Sequence, residues 1–320
     1  MKSILAFSVT QNASDLHLSS GEKIKARKNG EIITLSNDVL NNIDLKTKLY
    51  SILSEEQKAE LKAKNQLDFA FSEPNVGRFR GNIFWQQKGI SAVFRIIRDE
   101  IPTLENLNAP PVLSTLLTKK QGLILITGAT GSGKSTTLGA MINQINHDQC
   151  KHIITLEDPI EFIYQNQKSL IHQREIGTHC LSFADGINSL LRQDPDVIVL
   201  GELRDKVTIE AALLASETGH LVFATLHTNS AIQTINRIVD VFPDESRQFI
   251  RAQLAQSLLA VIAQQLIVES DLTRKAVFEV LVNTPAVSHL IHEGKTKQIY
   301  SMMQTGSNYG MTCFDNEPSI

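Results

Sequence analysis

The pattern of apolar and polar positions changes character about a third of the way along the chain. Up to residue 98, short segments that alternate apolar and polar positions predominate. Lys23–Arg27 and Glu31–Leu35 flank Asn29-Gly30, a pair that tolerates the positive φ angles of a tight hairpin. Leu45, Leu49, Ile52 and Leu53 recur at helical spacing. Ser54-Glu-Glu-Gln57 has the form of a capping box that opens another helix. Gly77–Phe84 and Ile90–Ile97 read as paired strands joined near Lys88-Gly89. These segments predict a small α+β domain over residues 1–98. Pro102, Pro110 and Pro111 forbid a continuous helix and stiffen the connection, so residues 99–111 read as a linker.

Beyond the linker, short apolar runs alternate with helical segments, which predicts a parallel sheet in an α/β domain over residues 112–320. Strands are expected at Leu123–Thr127, His152–Leu156, Val197–Leu200 and Leu221–Leu226. Each runs directly into a polar motif, so the motifs should meet at the carboxyl edge of the sheet. After Phe242-Pro243 the chain is expected to turn helical, with Phe249, Ile250, Leu254, Leu258, Val261 and Ile262 on one stripe. Leu258–Ala263 reads as a core helix, and Gln256, Gln264 and Gln265 argue against a membrane span. Thr284-Pro285 is expected to cap a last short helix ending at Gly294.

Composition narrows the picture. The 320 residues are 42% hydrophobic and 20% charged, an ordinary globular balance for roughly two domains. A net charge of −3 argues against a dedicated nucleic-acid binder. Cys150, Cys180 and Cys313 are too few and too scattered for a disulfide framework or a zinc site, which points to a reduced, cytoplasmic protein. Met1–Ser8 is too poor in apolar residues for a signal peptide.

The motif at the end of the first of these strands carries the most chemistry. Gly128-Ala129-Thr130-Gly131-Ser132-Gly133-Lys134-Ser135-Thr136 has the spacing of a phosphate-binding P-loop between a strand and a helix. Its glycines let backbone N–H groups turn inward, and the helix N-terminus favours an anion. Lys134 is placed for the β- and γ-phosphates of a nucleotide, and the Ser135 hydroxyl for Mg²⁺. Leu156-Glu157-Asp158-Pro159-Ile160-Glu161 concentrates carboxylates at a strand end, a costly arrangement unless water, a cation or a positive partner faces them. Asp196–Leu200 is an apolar strand followed by Gly201-Glu202, where the Asp usual at the strand end is replaced by glycine. Glu202 is therefore left to polarise the attacking water, support the metal's water shell, or both, and Glu157 or Asp158 shares the metal side. His220 and His227 bracket the strand Leu221–Leu226. They serve either as strand-end hydrogen bonders or as groups that sense the γ-phosphate or orient Glu202. Arg78, Arg80 and Arg95 lie on strands of the first domain, either as a solvated face or as a source of arginine fingers across a domain or subunit boundary.

Taken together and in this order, the motifs resemble those of the type IV pilus retraction ATPases, the PilT family of the secretion-ATPase superfamily. Ser14-Asp-Leu-His-Leu18, Gly77–Arg80, Val93–Arg95, Gly128–Thr136, Ile154–Glu161, Asp194–Asp205 and Glu217–Thr228 carry the resemblance across nearly the whole chain. It implies a PAS-like N-terminal domain, a RecA-like P-loop NTPase domain and a homohexamer with ATP at subunit interfaces. It also implies a motor peripheral to the inner membrane, docked on a pilus platform protein. One departure stands out. The family's Ala-Ile-Arg-Asn-Leu motif becomes Ala286-Val-Ser-His-Leu290, which keeps the apolar face and removes the motif's charge. The end at Gly310–Ile320 also stops where the family continues into helical sequence. These departures keep open an accessory subunit that binds ATP but moves nothing by itself. An assembly or type II secretion ATPase usually carries a longer N-terminal region and often zinc-binding Cys pairs. A nucleic-acid translocase is opposed by the charge and by the lack of a basic, aromatic-rich stretch.

Overall fold

A computed structural model describes residues 1–28, 30–97, 100–268 and 274–314. The expected turn residue Asn29, the expected linker residue Asp99 and the last residues of the chain lie outside the described residues. The chain forms two compact units, Met1–Glu100 and Ile101–Ile320.

In the first unit the order is α1 (Lys2–Thr10), β1 (Asp15–Ser19), β2 (Lys23–Lys28), β3 (Glu31–Val39), α2 (Asn42–Tyr50), α3 (Glu55–Lys64), β4 (Gln66–Glu73), β5 (Gly77–Gln86) and β6 (Gly89–Ile97). The strands form one antiparallel sheet in the order β3-β2-β1-β6-β5-β4. One face packs against the helices: Leu16, Leu18, Phe79, Ile83 and Phe94 bury against Leu5, Leu45, Leu49 and Leu61. The expected capping box is present, with Ser54 accepting from Gln57 N–H and the Gln57 side chain reaching back to Ser54. The opposite face places Arg27, Asp15, Arg95 and Arg80 in one cross-strand row.

The second unit runs α4 (Val112–Leu116), β7 (Gly122–Thr127), α5 (Lys134–Asp148), β8 (His152–Glu157), β9 (Leu170–Glu175), α6 (Phe183–Leu190), β10 (Val197–Leu200), α7 (Lys206–Glu217), β11 (Leu221–Leu226), α8 (Ala231–Asp240), α9 (Asp244–Ser257), β12 (Leu258–Val268), β13 (Arg274–Val282), α10 (Pro285–His292) and α11 (Ile299–Thr305). Its sheet has the order β13-β12-β7-β11-β10-β8-β9. All neighbours are parallel except the antiparallel pair β12–β13. The expected α/β unit with a parallel sheet is therefore present. Both faces are covered: Leu138, Met141, Ile142 and Ile145 of α5 pack on one, and residues of α6–α11 on the other. Burial on both faces explains why these strands read as continuous apolar runs rather than alternating ones.

One element departs from the pattern. The expected helix through Leu258–Ala263 is a strand. Helix α9 stops at Ser257, and β12 inserts beside β7, where Val261 and Ile262 pair with Leu125 and Ile126. Leu258, Val261 and Ile262 do not share a helical stripe with Ile250 and Leu254, and Phe249 is 65% exposed. An apolar run buried on both sides has no period to distinguish a strand from a helix. Thr284 caps α10 as expected, but α10 is followed by α11 and is not the last helix.

Candidate nucleotide site

The P-loop occupies the turn from β7 to α5. Gly128, Gly131 and Gly133 have φ angles of 148°, 80° and 87°, so the loop takes backbone shapes that side-chain-bearing residues rarely adopt. Lys134 is buried, and its Nζ donates to Gly128 O at 2.7 Å and to Ala129 O at 3.0 Å. Burial lowers its pKa, while the fields of Glu202 and Glu161 pull it back up. Ser132 Oγ is buried and has no hydrogen-bond partner. Ser135 and Thr136 stand half-buried in the first turn of α5.

Glu157 ends β8, where its Oε1 accepts from Thr155 Oγ1 at 2.6 Å and Gln173 Nε2 at 3.1 Å. Burial nonetheless pushes its carboxyl above the ordinary range, and nearby Glu161 adds to this. Glu202 follows β10. Its Oε2 accepts from Arg204 Nε at 2.7 Å, and its Oε1 lies 3.3 Å from His227 Nε2. Arg204 Nη1 approaches Asp158 Oδ2 at 3.7 Å, so one guanidinium faces carboxylates from two motifs.

The reason for glycine at position 201 is visible in the backbone. Its N–H donates to Leu156 O at 2.8 Å. A Cβ there would sit 3.1 Å from that oxygen and 3.3 Å from Glu157 Cα. A side chain would press on the rigid end of β8, and the acid stands one residue further on, at Glu202.

His227 is brought to this edge by β11. Thr228, the next residue, is tied to the base of the P-loop: Thr127 Oγ1 donates to Thr228 O at 2.5 Å, and Thr228 N donates back at 3.1 Å. His220 is not brought there. It precedes β11, its Nδ1 lies 2.9 Å from Ala215 O, and its own carbonyl accepts from Gly122 N at the start of β7. Strand β11, about 20 Å long, separates it from the P-loop edge. Within one chain, His220 therefore takes the strand-end position, the first of its two expected roles, at the end of β11 away from the P-loop. Arg78, Arg80 and Arg95 all lie in the first unit, on β5 and β6. Arg95 Nε contacts Asp15 Oδ1 at 3.1 Å, and Arg80 is its cross-strand neighbour.

Sequence reasoning missed three residues of this site. Arg204 was legible only as part of a longer acidic motif, and Thr127 only as the end of a strand. Gln264 had been set aside as an interruption in an apolar helix. It is 2% exposed, donates from Nε2 to Ser132 O at 2.8 Å and accepts from Thr137 Oγ1 at 2.7 Å.

Among the described residues no group of three or more metal-ligating side chains is preassembled. The chemistry of the donors nevertheless fits a nucleotide with Mg²⁺. There is a glycine cradle without Cβ atoms, an orphaned buried hydroxyl, a buried ammonium held only by loop carbonyls, and Glu157, Asp158 and Glu202 at neighbouring strand ends.

The family model for type II/IV secretion system proteins matches residues 1–307. The chain belongs to that family. Among its relatives, a protein of Escherichia coli (strain K12) named "Uncharacterized protein YggR" is 50% identical over 98% of this chain and 95% of its own length. The "Type IV pilus retractation ATPase PilT" of Pseudomonas aeruginosa is 45% identical over 98% of this chain and 91% of its own. A solved structure of the "Pilus Retraction Motor PilT and Bound ADP" superposes with a TM-score of 0.89 at 43% identity, covering 93% of this chain and 89% of that one. Among the described residues no helix is long and apolar enough to cross a membrane.

Proposed function

We propose that this chain is the ATP-hydrolysing subunit of a type IV pilus retraction motor. The observation that carries the reading is the meeting of Lys134, Glu202 and His227 at one sheet edge, in a chain nearly half identical to a named retraction ATPase. Lys134, with the backbone N–H groups of Gly128–Thr136, would hold the phosphates of ATP. Mg²⁺, bound by Ser135 and supported by Glu157 or Asp158, would supply charge neutralisation on the phosphates. Glu202 orients the attacking water and takes its proton. Arg204 donates to one carboxylate oxygen of Glu202 and His227 stands beside the other, so the group would enter the reaction already oriented. In the described geometry Lys134 satisfies the loop carbonyls itself, and turnover requires that it exchange them for phosphate oxygens.

In this reading the subunits form a homohexameric ring. Arg78, Arg80 and Arg95 supply positive charge to a site in another subunit. The ring works in the cytoplasm, peripheral to the inner membrane, against a pilus platform protein. The first unit corresponds to the PAS-like domain and the second to the RecA-like motor domain. What supports the ring is the resemblance to retraction motors and the absence, within the second unit's own site, of any arginine other than Arg204 among the contacts described at Glu202.

One observation favours a second reading, an accessory subunit. Ser288, which stands where the family motif has Arg, turns its hydroxyl inward to Ala255 O at 2.8 Å. The charge that the motif usually carries on α10 is thereby absent. Complementation of a retraction-null strain separates the two readings: restored twitching supports the motor, and ATPase activity without restored twitching supports the accessory subunit.

A further inference from the structure

Gln264 reaches the P-loop from β12, a strand that contributes nothing else to the motifs described above. Its side-chain amide makes two hydrogen bonds, both to the loop and its helix. The donor end binds Ser132 O at 2.8 Å, and the acceptor end takes the Thr137 hydroxyl at 2.7 Å. Thr137 is itself fully buried, so neither bond competes with water. A buried amide satisfied at both ends is specific in orientation, because reversing it would place like groups together.

The loop glycines are shaped around the same residue. A Cβ on Gly133 would come within 2.8 Å of Gln264 Nε2. A Cβ on Gly128 would overlap the backbone carbonyl oxygen of Gln264 and lie 2.6 Å from Ser132 Oγ. Two of the three positive-φ loop glycines therefore leave room for Gln264 as well as for a ligand. Besides the bond from Gln264 to Ser132 O, the side-chain hydrogen bonds described to loop carbonyls come from Lys134. That ammonium is the group that must leave them when phosphate enters.

We infer that Gln264 is a positioning residue for nucleotide binding, holding the Ser132 peptide in place so that the P-loop keeps its shape when Lys134 lets go of Gly128 and Ala129. This rests on the reading of Gly128–Thr136 as a nucleotide site. Gln264 touches no reacting atom. It acts on the loop's preorganisation, so its loss lowers affinity and leaves the Glu202 chemistry nearly intact.

The test uses the full chain with ADP as the probe. Gln264→Met keeps the volume and removes both hydrogen bonds. Thr137→Val is nearly isosteric and removes only the bond that orients the amide. The expected result is an ADP Kd raised about 10-fold in Gln264→Met and about 3-fold in Thr137→Val, with the double variant no weaker than Gln264→Met. The KM for ATP should rise in step while kcat stays within about 3-fold. Amide hydrogen exchange of residues 128–136 without nucleotide should be faster in both variants. An ADP affinity within 2-fold of wild type in Gln264→Met, or single effects that multiply in the double variant, overturns the inference. If Gln264→Met does not fold, an unchanged ADP affinity in Thr137→Val overturns it. A wild-type chain that binds no ADP instead refutes the nucleotide-site reading itself.

Discussion

Arg204 Nε donates to Glu202 Oε2 at 2.7 Å, while His227 Nε2 stands 3.3 Å from the other oxygen of the same carboxylate. The Glu202 carboxylate thus accepts a hydrogen bond from Arg204 on one oxygen and has the His227 imidazole beside the other. Replacing it by Gln keeps the shape and hydrogen-bonding capacity and removes the base. Glu202→Gln should lower ATP turnover at least 100-fold with ADP affinity unchanged. Turnover that survives in a phosphate-release assay would remove Glu202 from its role. Arg204→Gln, which leaves one side of the carboxylate unheld, should cost about 10-fold in kcat with little change in KM.

The two histidines that flank β11 should behave differently. His227→Ala removes a neighbour of Glu202 and should lower kcat roughly 10- to 100-fold. His220 is bonded to Ala215 at the far end of β11. His220→Ala should leave the ADP affinity within about 2-fold, measured by calorimetry. A loss of ADP binding comparable to that of Lys134→Ala would contradict the described geometry.

Gly201 is confined by backbone atoms that cannot give way easily. Gly201→Ala should destabilise the second unit by about 1–2 kcal/mol, lowering its Tm by roughly 3–6 °C. It should also reduce kcat, because the displaced backbone carries Glu202. A Tm equal to that of wild type by calorimetry would show that the ends of β8 and β10 can part without cost.

His17 gives the first unit a dependence on pH. Its Nε2 is buried without a partner. Burial lowers its pKa below 6.5, Arg27 adds to this and Asp15 opposes it. Below 6.5 the unfolded chain takes up the proton before the folded one does. The stabilising contribution is therefore complete above that value and is lost as pH falls from it through the lower folded value. Trp85, the only tryptophan, lies on β5 in this unit and reports its unfolding. The urea midpoint from Trp85 fluorescence should fall between pH 7.5 and pH 5.5. In His17→Gln the fall should be at least halved, and an equal fall in both proteins would discard this account.

Much of what meets at this sheet edge was legible because the P-loop spacing, the carboxylate at Glu157, Gly201-Glu202 and His227 are each local: a strand ends, and the next few residues carry its polar groups. The spacing of Gly128, Gly133 and Lys134 needs no distant partner to be recognised. The misread stretch Leu258–Ala263 shows the opposite case. Its residues suit either a helix or a strand, and the choice was made by the open edge of β7, which lies far away in sequence. Gln264 was lost with it, since a glutamine among apolar residues looks like an interruption until Ser132 and Thr137 are found beside it. His220 and His227 share a motif and flank one strand, but a strand has two ends, and only one of them faces the loop.

By itself the sequence pointed to the kind of chemistry, through a glycine loop spaced for phosphate and an acid at Glu202 just past a strand end, and it pointed to two compact units and a family. These are properties of residue type and short spacing, in which each residue acts on neighbours a few positions away. Only the tertiary structure decided that Leu258–Val268 is a strand, that Gln264 braces the P-loop, that Arg204 and His227 share Glu202, and that His220 does not. Each of these depends on contacts between segments distant in the chain, where burial and hydrogen-bond satisfaction override local pattern.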